Sequence, residues 1–398
     1  MAHASNPRPL NRQDLLDIDT MLSEDERAVR DSVRAACDAE IEPHIQQWYE
    51  DGALPVRELA RMFGELGVLG MHLDGYGCPG MSAVDYGLAC QELEASDSGI
   101  RSLVSVQGSL AMFAIWRWGT EEQKLEWLPR LAAGDAIGCF GLTEPDHGSD
   151  PGSMRTRARR DGDDWVLNGA KMWITNGSVA DVAVVWANAG EENGVIRGFV
   201  VPTDTPGFSA PEIKHKMSLR ASVTSELLFD NVRLPGDAVF PDVRGLKGPL
   251  SCLSEARYGI VWGAIGAGRA SLDAAVRYST ERHQFGKPLA GFQLTQGKLA
   301  RMSTDLNTGQ LLALHLGRLK DSVGLRPEQV SVGKYNNVSA ALEVCRTART
   351  ILGANGISGE FPVMRHANNL ESVLTYEGTV EMHALTIGKA LTGVDAFR

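Results

Sequence analysis

Between residues 138 and 245 the chain is written in short β-rich runs. "DDWVLNGAKMWITNGSVADVAVVWANAG", "GVIRGFVVPT" and "SELLFDNVRLPGDAVF" are each broken by Asn-Gly, Gly or Pro, the punctuation of strands and turns. On either side the spacing reverts to that of helices. Upstream, "SEDERAVRDSVRAACDAEI" opens with Ser23 and Glu26 at capping-box spacing and aligns Val29, Val33 and Ala36 on one face. "VRELARMFGELG", "DYGLACQELEASD" and "TEEQKLEWLPRLAAGD" are further helices, the last with a second box at Thr120 and Gln123 and a stop at Gly134. Downstream, five helices are expected, several of them longer than twenty residues; "VSAALEVCRTARTIL" aligns Val338, Ala341, Leu342 and Cys345. The order is helical, β, helical: an α+β multi-domain chain with an N-terminal α-helical domain (1–137), a middle β domain of barrel or sandwich type (138–245) and a C-terminal helical domain (246–398).

A chain of 398 residues carries two or three such domains around a large core. Its net charge of -11, with no basic tail, argues against nucleic acid or an anionic membrane surface as partner. No segment approaches the roughly 18 apolar residues that span a bilayer, and "MAHASNPRPLNRQDLLDIDT" has no signal-peptide core. The expectation is a cytoplasmic protein, or a mitochondrial-matrix one in a eukaryote. Cys37, Cys78, Cys90, Cys139, Cys252 and Cys345 lie far apart without a CxxC pair, so reduced, buried thiols and no metal are expected.

Six stretches carry candidate chemistry. "CFGLTEPDHGSDP" (139–151) offers hydroxyls and free amides to a polar planar ligand, or is simply a polar loop. In "KMWITNG" Trp173 stacks on a ring or packs in the core, with Thr175 a possible donor. "ERHQFGKPLAGFQLTQ" groups Arg282, Gly286 and Gln293 around an interhelical loop, suited to a diphosphate or to solvent. In "GIRSLVSVQGSL" Arg101 has no acid downstream before Glu121, so if buried it needs an anion from elsewhere, a substrate carboxylate being one choice. "LGANGISGEF" makes a tight turn. In "TYEGTVEMH" Glu377 stands between an aromatic ring and a glycine: either a partly desolvated base or a solvated helix start. No Gly-rich run has the strand and helix context of a dinucleotide fold, and HExxH and GxSxG are absent.

Together and in order, "GLTEP..GSD", "WITN", "K.SLRAS" (Lys216 to Ser222), "R.QFG.PL..FQL", "LG.NG" and "YEGT" resemble the acyl-CoA dehydrogenase family from about Leu22 onward. The resemblance implies a C-terminal four-helix bundle, FAD bound partly across a subunit interface of a homotetramer, and electron-transferring flavoprotein as acceptor. It implies flavin contacts from Phe140, Leu142, Thr143, Gly148, Ser149, Trp173, Ile174 and Thr175. Arg282 and Gln293 then lie on the diphosphate, Phe285 also contacts the cofactor, and Leu352, Gly353, Thr379 and Glu381 lie near the adenine half or a neighbouring subunit's flavin. Some relatives place the base one residue before an arginine of an earlier helix. That slot is Ala256, before Arg257, which leaves Glu377.

"DSGIRSLVSVQGSLAM" and "LESVLTYEGTVEMHALTIGKALTG" are most similar to the subgroup acting on glutaryl-CoA. This implies that Arg101 and Ser105 hold the far carboxylate, that Glu94 and Tyr376 shape the pocket, and that Ser149, Ser254, Arg257 and Gly378 also line the substrate. The implied reaction is oxidative decarboxylation to crotonyl-CoA and CO2. A non-decarboxylating or other short-chain acyl-CoA dehydrogenase is the alternative, and an inactive structural homologue a third. Two departures from the family pattern are His147, expected to face solvent, and Ala354.

Overall fold

The computed structural model describes residues 11–190 and 194–397; the start of the stretch read for a signal peptide lies outside them. Helices α1 (Glu24–Glu40), α2 (Ile45–Asp51) and α3 (Val56–Glu65) lead to a small hairpin, β1 (Asp74–Gly75) with β2 (Cys78–Pro79). Next come α4 (Ala83–Ser96), α5 (Ser98–Ser105), α6 (Phe113–Trp118) and α7 (Glu121–Ala132). Both expected capping boxes form, at Ser23 with Glu26 and Thr120 with Gln123, and Gly134 ends α7 at φ 75°. A third, Ser82 with Asp85, starts α4 two residues before the sequence pattern places it. Between α5 and α6 the helix widens into a π segment, Val106–Met112, a rearrangement that hydrophobic spacing does not reveal. Gln107, fully buried in it, accepts from the Gly138 amide at 2.7 Å and donates to the Ala136 and Leu131 carbonyls at 2.8 and 3.0 Å. One side chain thus ties the helical region to the first long strand.

The middle region is a single seven-stranded sheet. It comprises β3 (Gly138–Gly141), β4 (Arg157–Asp161), β5 (Asp164–Thr175), β6 (Val182–Ala189), β7 (Val195–Pro202), β8 (Phe208–Ser209) and β9 (Thr224–Leu234). In β6 the run Val182–Ala187 is buried on both faces, so it reads as continuous rather than alternating apolar residues. Core side chains from the N-terminal helices, the sheet and the first long C-terminal helix form shared clusters, leaving no gap between the regions.

Five helices follow: α8 (Lys247–Glu281), α9 (Gln293–Ser322), α10 (Pro327–Leu352), α11 (Val363–Thr375) and α12 (Val380–Thr392). A hairpin of β10 (His283–Gln284) and β11 (Lys287–Pro288) joins α8 to α9. Helix α4 lies directly on α8 because α8 presents glycines there: a Cβ on Gly266 would stand 1.9 Å from the Gln91 carbonyl. All six cysteines are buried and free. No helix among the described residues is long and apolar enough to cross a membrane.

Candidate active site

The α11–α12 link, Tyr376 to Thr379, is where the elements converge. Helix α12 starts only at Val380, with Thr379 as its N-cap, so Glu377 is not in a helix start; it sits in the left-handed region at φ 53°, followed by Gly378 at φ 94°. For a side-chain-bearing residue this costs roughly 1–2 kcal/mol and must be held from outside. Two cations hold it. Arg257 of α8 donates from Nε to the Glu377 carbonyl at 2.6 Å. Lys334 of α10 donates from Nζ to the Tyr376 carbonyl and, at 2.8 Å, to the Gly378 carbonyl.

The Glu377 residue is half-buried, yet its Oε2 is out of contact with solvent and has no partner. Burial raises its pKa above the ordinary carboxylate value; Lys334, Arg101 and Arg257 pull in the opposite direction, and Glu94 adds to the rise. Its environment is that of a base rather than of a salt-bridge partner.

Arg101 is 1 % exposed. Its anion comes from upstream, not from a ligand alone: Nε donates to Glu94 Oε2 at 2.7 Å, and Nη2 donates to the Tyr376 hydroxyl. Glu94 lies seven residues before Arg101, across the break between α4 and α5, and accepts from Ser98 Oγ at 2.8 Å. Burial opposes the Arg101 charge, but attraction to Glu94, Tyr376 and Glu377 keeps its pKa well above the usual value. Nη1 has no hydrogen bond among the described residues, and Ser105 Oγ, one turn along α5, and Ser102 Oγ are buried without partners. Four polar groups (Glu377 Oε2, Arg101 Nη1, Ser105 Oγ and Ser102 Oγ) are therefore left unsatisfied on the two elements that Arg101 and Tyr376 join.

Glu94 has its place because Gly263 of α8 is a glycine: a Cβ there would stand 2.0 Å from Glu94 Oε2. Gly263→Ala is expected to push Glu94 off Arg101 and lower stability by about 1–3 kcal/mol, measured by denaturant unfolding against the parent.

Ser254 points its hydroxyl at the Leu250 carbonyl of its own helix, 3.0 Å away. Ala256 is fully buried and chemically inert. His383, unremarked in the sequence, packs its Nε2 against Gly378, where an added Cβ would be at 3.0 Å; burial holds its pKa down at about 3, so it is neutral.

The second group of candidates lies on the sheet. A β-bulge between Lys171 and Ile174 turns Trp173 outward, 58 % exposed at φ 64°; it is not a core tryptophan. Thr143 and Thr175 are half-buried beside it, and the Thr143 carbonyl accepts from Met172 N at 2.9 Å. Ser149 is exposed, and a Cβ on Gly148 would meet open space. The loop is anchored by Lys171, fully buried, which donates to Glu144 Oε1 at 2.8 Å and the Leu142 carbonyl at 3.1 Å. Phe140, Leu142, Ile174 and Leu352 are 6 %, 6 %, 4 % and 2 % exposed; their side chains serve the core, which leaves mainly backbone to offer a ligand. His147 is not turned to solvent: the ring is half-buried with Nε2 enclosed and unpartnered, because its backbone pairs with Glu144 in both directions at 3.1 and 3.2 Å.

The third group stands apart. Arg282 and Gln293 are exposed, and Phe285, at the hairpin tip, is 93 % exposed. Among the described residues no hydrogen bond or ion pair links this arm to the Thr143 or Trp173 segments. Gln293 lines a cavity of about 620 Å³ between α9 and α10. Gly353, Thr379 and Glu381 are at or near the surface of the same helical region.

The chain thus carries a loop-borne carboxylate with an enclosed oxygen and, on a bulged strand, an exposed tryptophan. Family descriptions of the acyl-CoA dehydrogenase N-terminal, middle and C-terminal domains match residues 23–135, 139–232 and 243–392, and the chain belongs to the acyl-CoA dehydrogenase family. Among named proteins it is 35% identical over 370 residues to the mitochondrial short-chain specific acyl-CoA dehydrogenase of Bos taurus, spanning 92% of this chain and 90% of that one. Two solved structures of glutaryl-CoA dehydrogenase from Mycobacterium smegmatis superpose with a TM-score of 0.96 over 98% of this chain and 100% of theirs. One is 67% identical; the other, 63% identical, is described in complex with FADH2.

Proposed function

We propose that the protein catalyses the oxidative decarboxylation of glutaryl-CoA to crotonyl-CoA and CO2, with FAD as cofactor. The observation that carries this is a pair of unsatisfied groups: a partnerless carboxyl oxygen on Glu377, and a buried arginine, bonded to the neighbouring Tyr376, with a free nitrogen one helical turn from the unpartnered Ser105 hydroxyl. A plain acyl chain has no use for a buried cation at its far end, whereas a dicarboxylyl thioester has a carboxylate to offer Arg101 and Ser105.

FAD fits the residues present. Trp173 supplies an exposed ring, Thr143, Ser149 and Thr175 supply polar atoms around it, and Arg282 and Gln293 on the exposed arm suit a diphosphate. Phe285 and Leu294, 93 % and 85 % exposed, are apolar groups that a second copy of the chain covers in a homotetramer, with Gly353, Thr379 and Glu381 near the shared cofactor. When bound, FAD accepts the hydride leaving the substrate β-carbon, and its electrons pass to electron-transferring flavoprotein.

Glu377 removes the α-proton. Burial makes it a stronger base than a solvated carboxylate, while Lys334 and Arg257 keep its ionised form accessible. The negative charge developing on the thioester oxygen needs a donor in place beforehand, and the Glu377 amide, which donates to no group among the described residues, is that donor. Once the α,β double bond exists, the C–C bond to the γ-carboxylate breaks. Its electron pair enters the dienolate, CO2 leaves, and the proton now on Glu377 returns to the γ-carbon. Tyr376 and the Glu94–Arg101 pair stand on the carboxylate side of the substrate.

Incubation with glutaryl-CoA and an electron acceptor, followed by mass analysis, tests this: crotonyl-CoA with one CO2 per turnover is expected. Glutaconyl-CoA accumulating instead assigns a non-decarboxylating dehydrogenase, and no turnover refutes the substrate.

A further inference from the structure

Three successive backbone carbonyls, those of Tyr376, Glu377 and Gly378, are each captured by a cation from another helix: Lys334, Arg257 and Lys334 again. Lys334 is 2 % exposed and forms no ion pair among the described residues. Burial lowers the Lys334 pKa to about 7, with the Glu377 charge pulling it up, and the groups that accept from its nitrogen are carbonyls at positions i and i+2. They reach one nitrogen only because Glu377 and Gly378 both take positive φ and curl the chain around it.

In a trans peptide the C=O and the following N–H point in opposite directions across one plane. Fixing the Tyr376 carbonyl on Lys334 therefore sends the Glu377 N–H away from Lys334, and that N–H has no partner among the described residues. We propose that Lys334 is a positioning residue for this reaction: by clamping the Tyr376 and Gly378 carbonyls it sets the plane of the Tyr376–Glu377 peptide, aiming the Glu377 amide at the thioester oxygen and the Glu377 carboxyl at the α-proton. One ammonium so arranges the oxyanion donor and the base together. The inference rests on Glu377 being the base, but not on which acyl chain is used.

The test is Lys334→Met, loaded with FAD and assayed with glutaryl-CoA and butyryl-CoA. Losing an oriented oxyanion donor is expected to lower kcat about 100-fold or more, with KM changed less than about 3-fold, because the donor matters most once charge develops. A general loosening of the fold raises KM and lowers the melting temperature together. The readout independent of turnover is a crystal structure of the variant, in which the Tyr376–Glu377 peptide is expected to have rotated and Glu377 to have left the left-handed region. A folded variant with kcat within about 3-fold of the parent, or with the peptide plane unchanged, overturns the proposal. If Lys334→Met does not accumulate folded, Lys334→Gln, which retains one donor for two carbonyls, decides it by the same two measurements. A parent enzyme inert toward both thioesters refutes the function proposed above, and the crystal structure still decides the clamp.

Discussion

Glu377→Gln is expected to lower kcat for glutaryl-CoA by between about 10² and 10⁴, the range over which a positioned base acts. FAD content and KM should stay near parental values. The substitution removes a carboxylate whose ionised form burial disfavours, so the melting temperature should equal or exceed the parent's. The same variant asks whether Glu377 moves one proton or two. Given glutaconyl-CoA, which bypasses the first step, the variant should also form crotonyl-CoA slowly if the γ-proton comes from Glu377. Conversion at the parental rate assigns that proton to another group.

The second large effect concerns the buried ion pair of Arg101 and Glu94. Arg101→Gln leaves Glu94, 0 % exposed, without its cation, and stability should fall by about 3–5 kcal/mol. Adding Glu94→Gln removes the stranded charge and should restore most of that loss. Neither variant regains the preference for glutaryl-CoA over butyryl-CoA. The ratio of their kcat/KM values should drop at least ~100-fold in both, the lower range for truncating a buried, hydrogen-bonded charge. If the double variant recovers selectivity together with stability, Arg101 is a structural residue and the substrate carboxylate lies elsewhere. Urea unfolding and steady-state kinetics on the three proteins separate the two roles.

The architecture was legible because local signals agreed with it. The boxes at Ser23 and Thr120, the stop at Gly134 and the broken β runs after Gly138 form as their chemistry dictates. The long-range part of the site was not legible. Nothing near Lys334 in sequence points to a loop more than forty residues away, and Gln107 acts through partners on two other elements. Glu94 is only seven residues from Arg101, but the helix break at Asp97 hides that the two side chains meet. Local pattern left Trp173 open between a ring platform and the core: a strand tryptophan is ordinarily core, but the bulge reverses the alternation and turns it out. Leu352, beside the glycine turn, packs its side chain into the core with Ala348 and Val363.

The base is held by cations on α8 and α10 and owes little to its own segment. Its coordinates are thus inherited from the contact between two helices to which it does not belong. A slip of one turn between them, about 5.4 Å, would carry Lys334 out of reach while leaving every residue of "TYEGT" in place. Over evolutionary time the constraint should fall on the small and apolar residues between α8 and α10, such as Gly268, Ala341 and Leu342. Lineages that lose the reaction need never touch the glutamate.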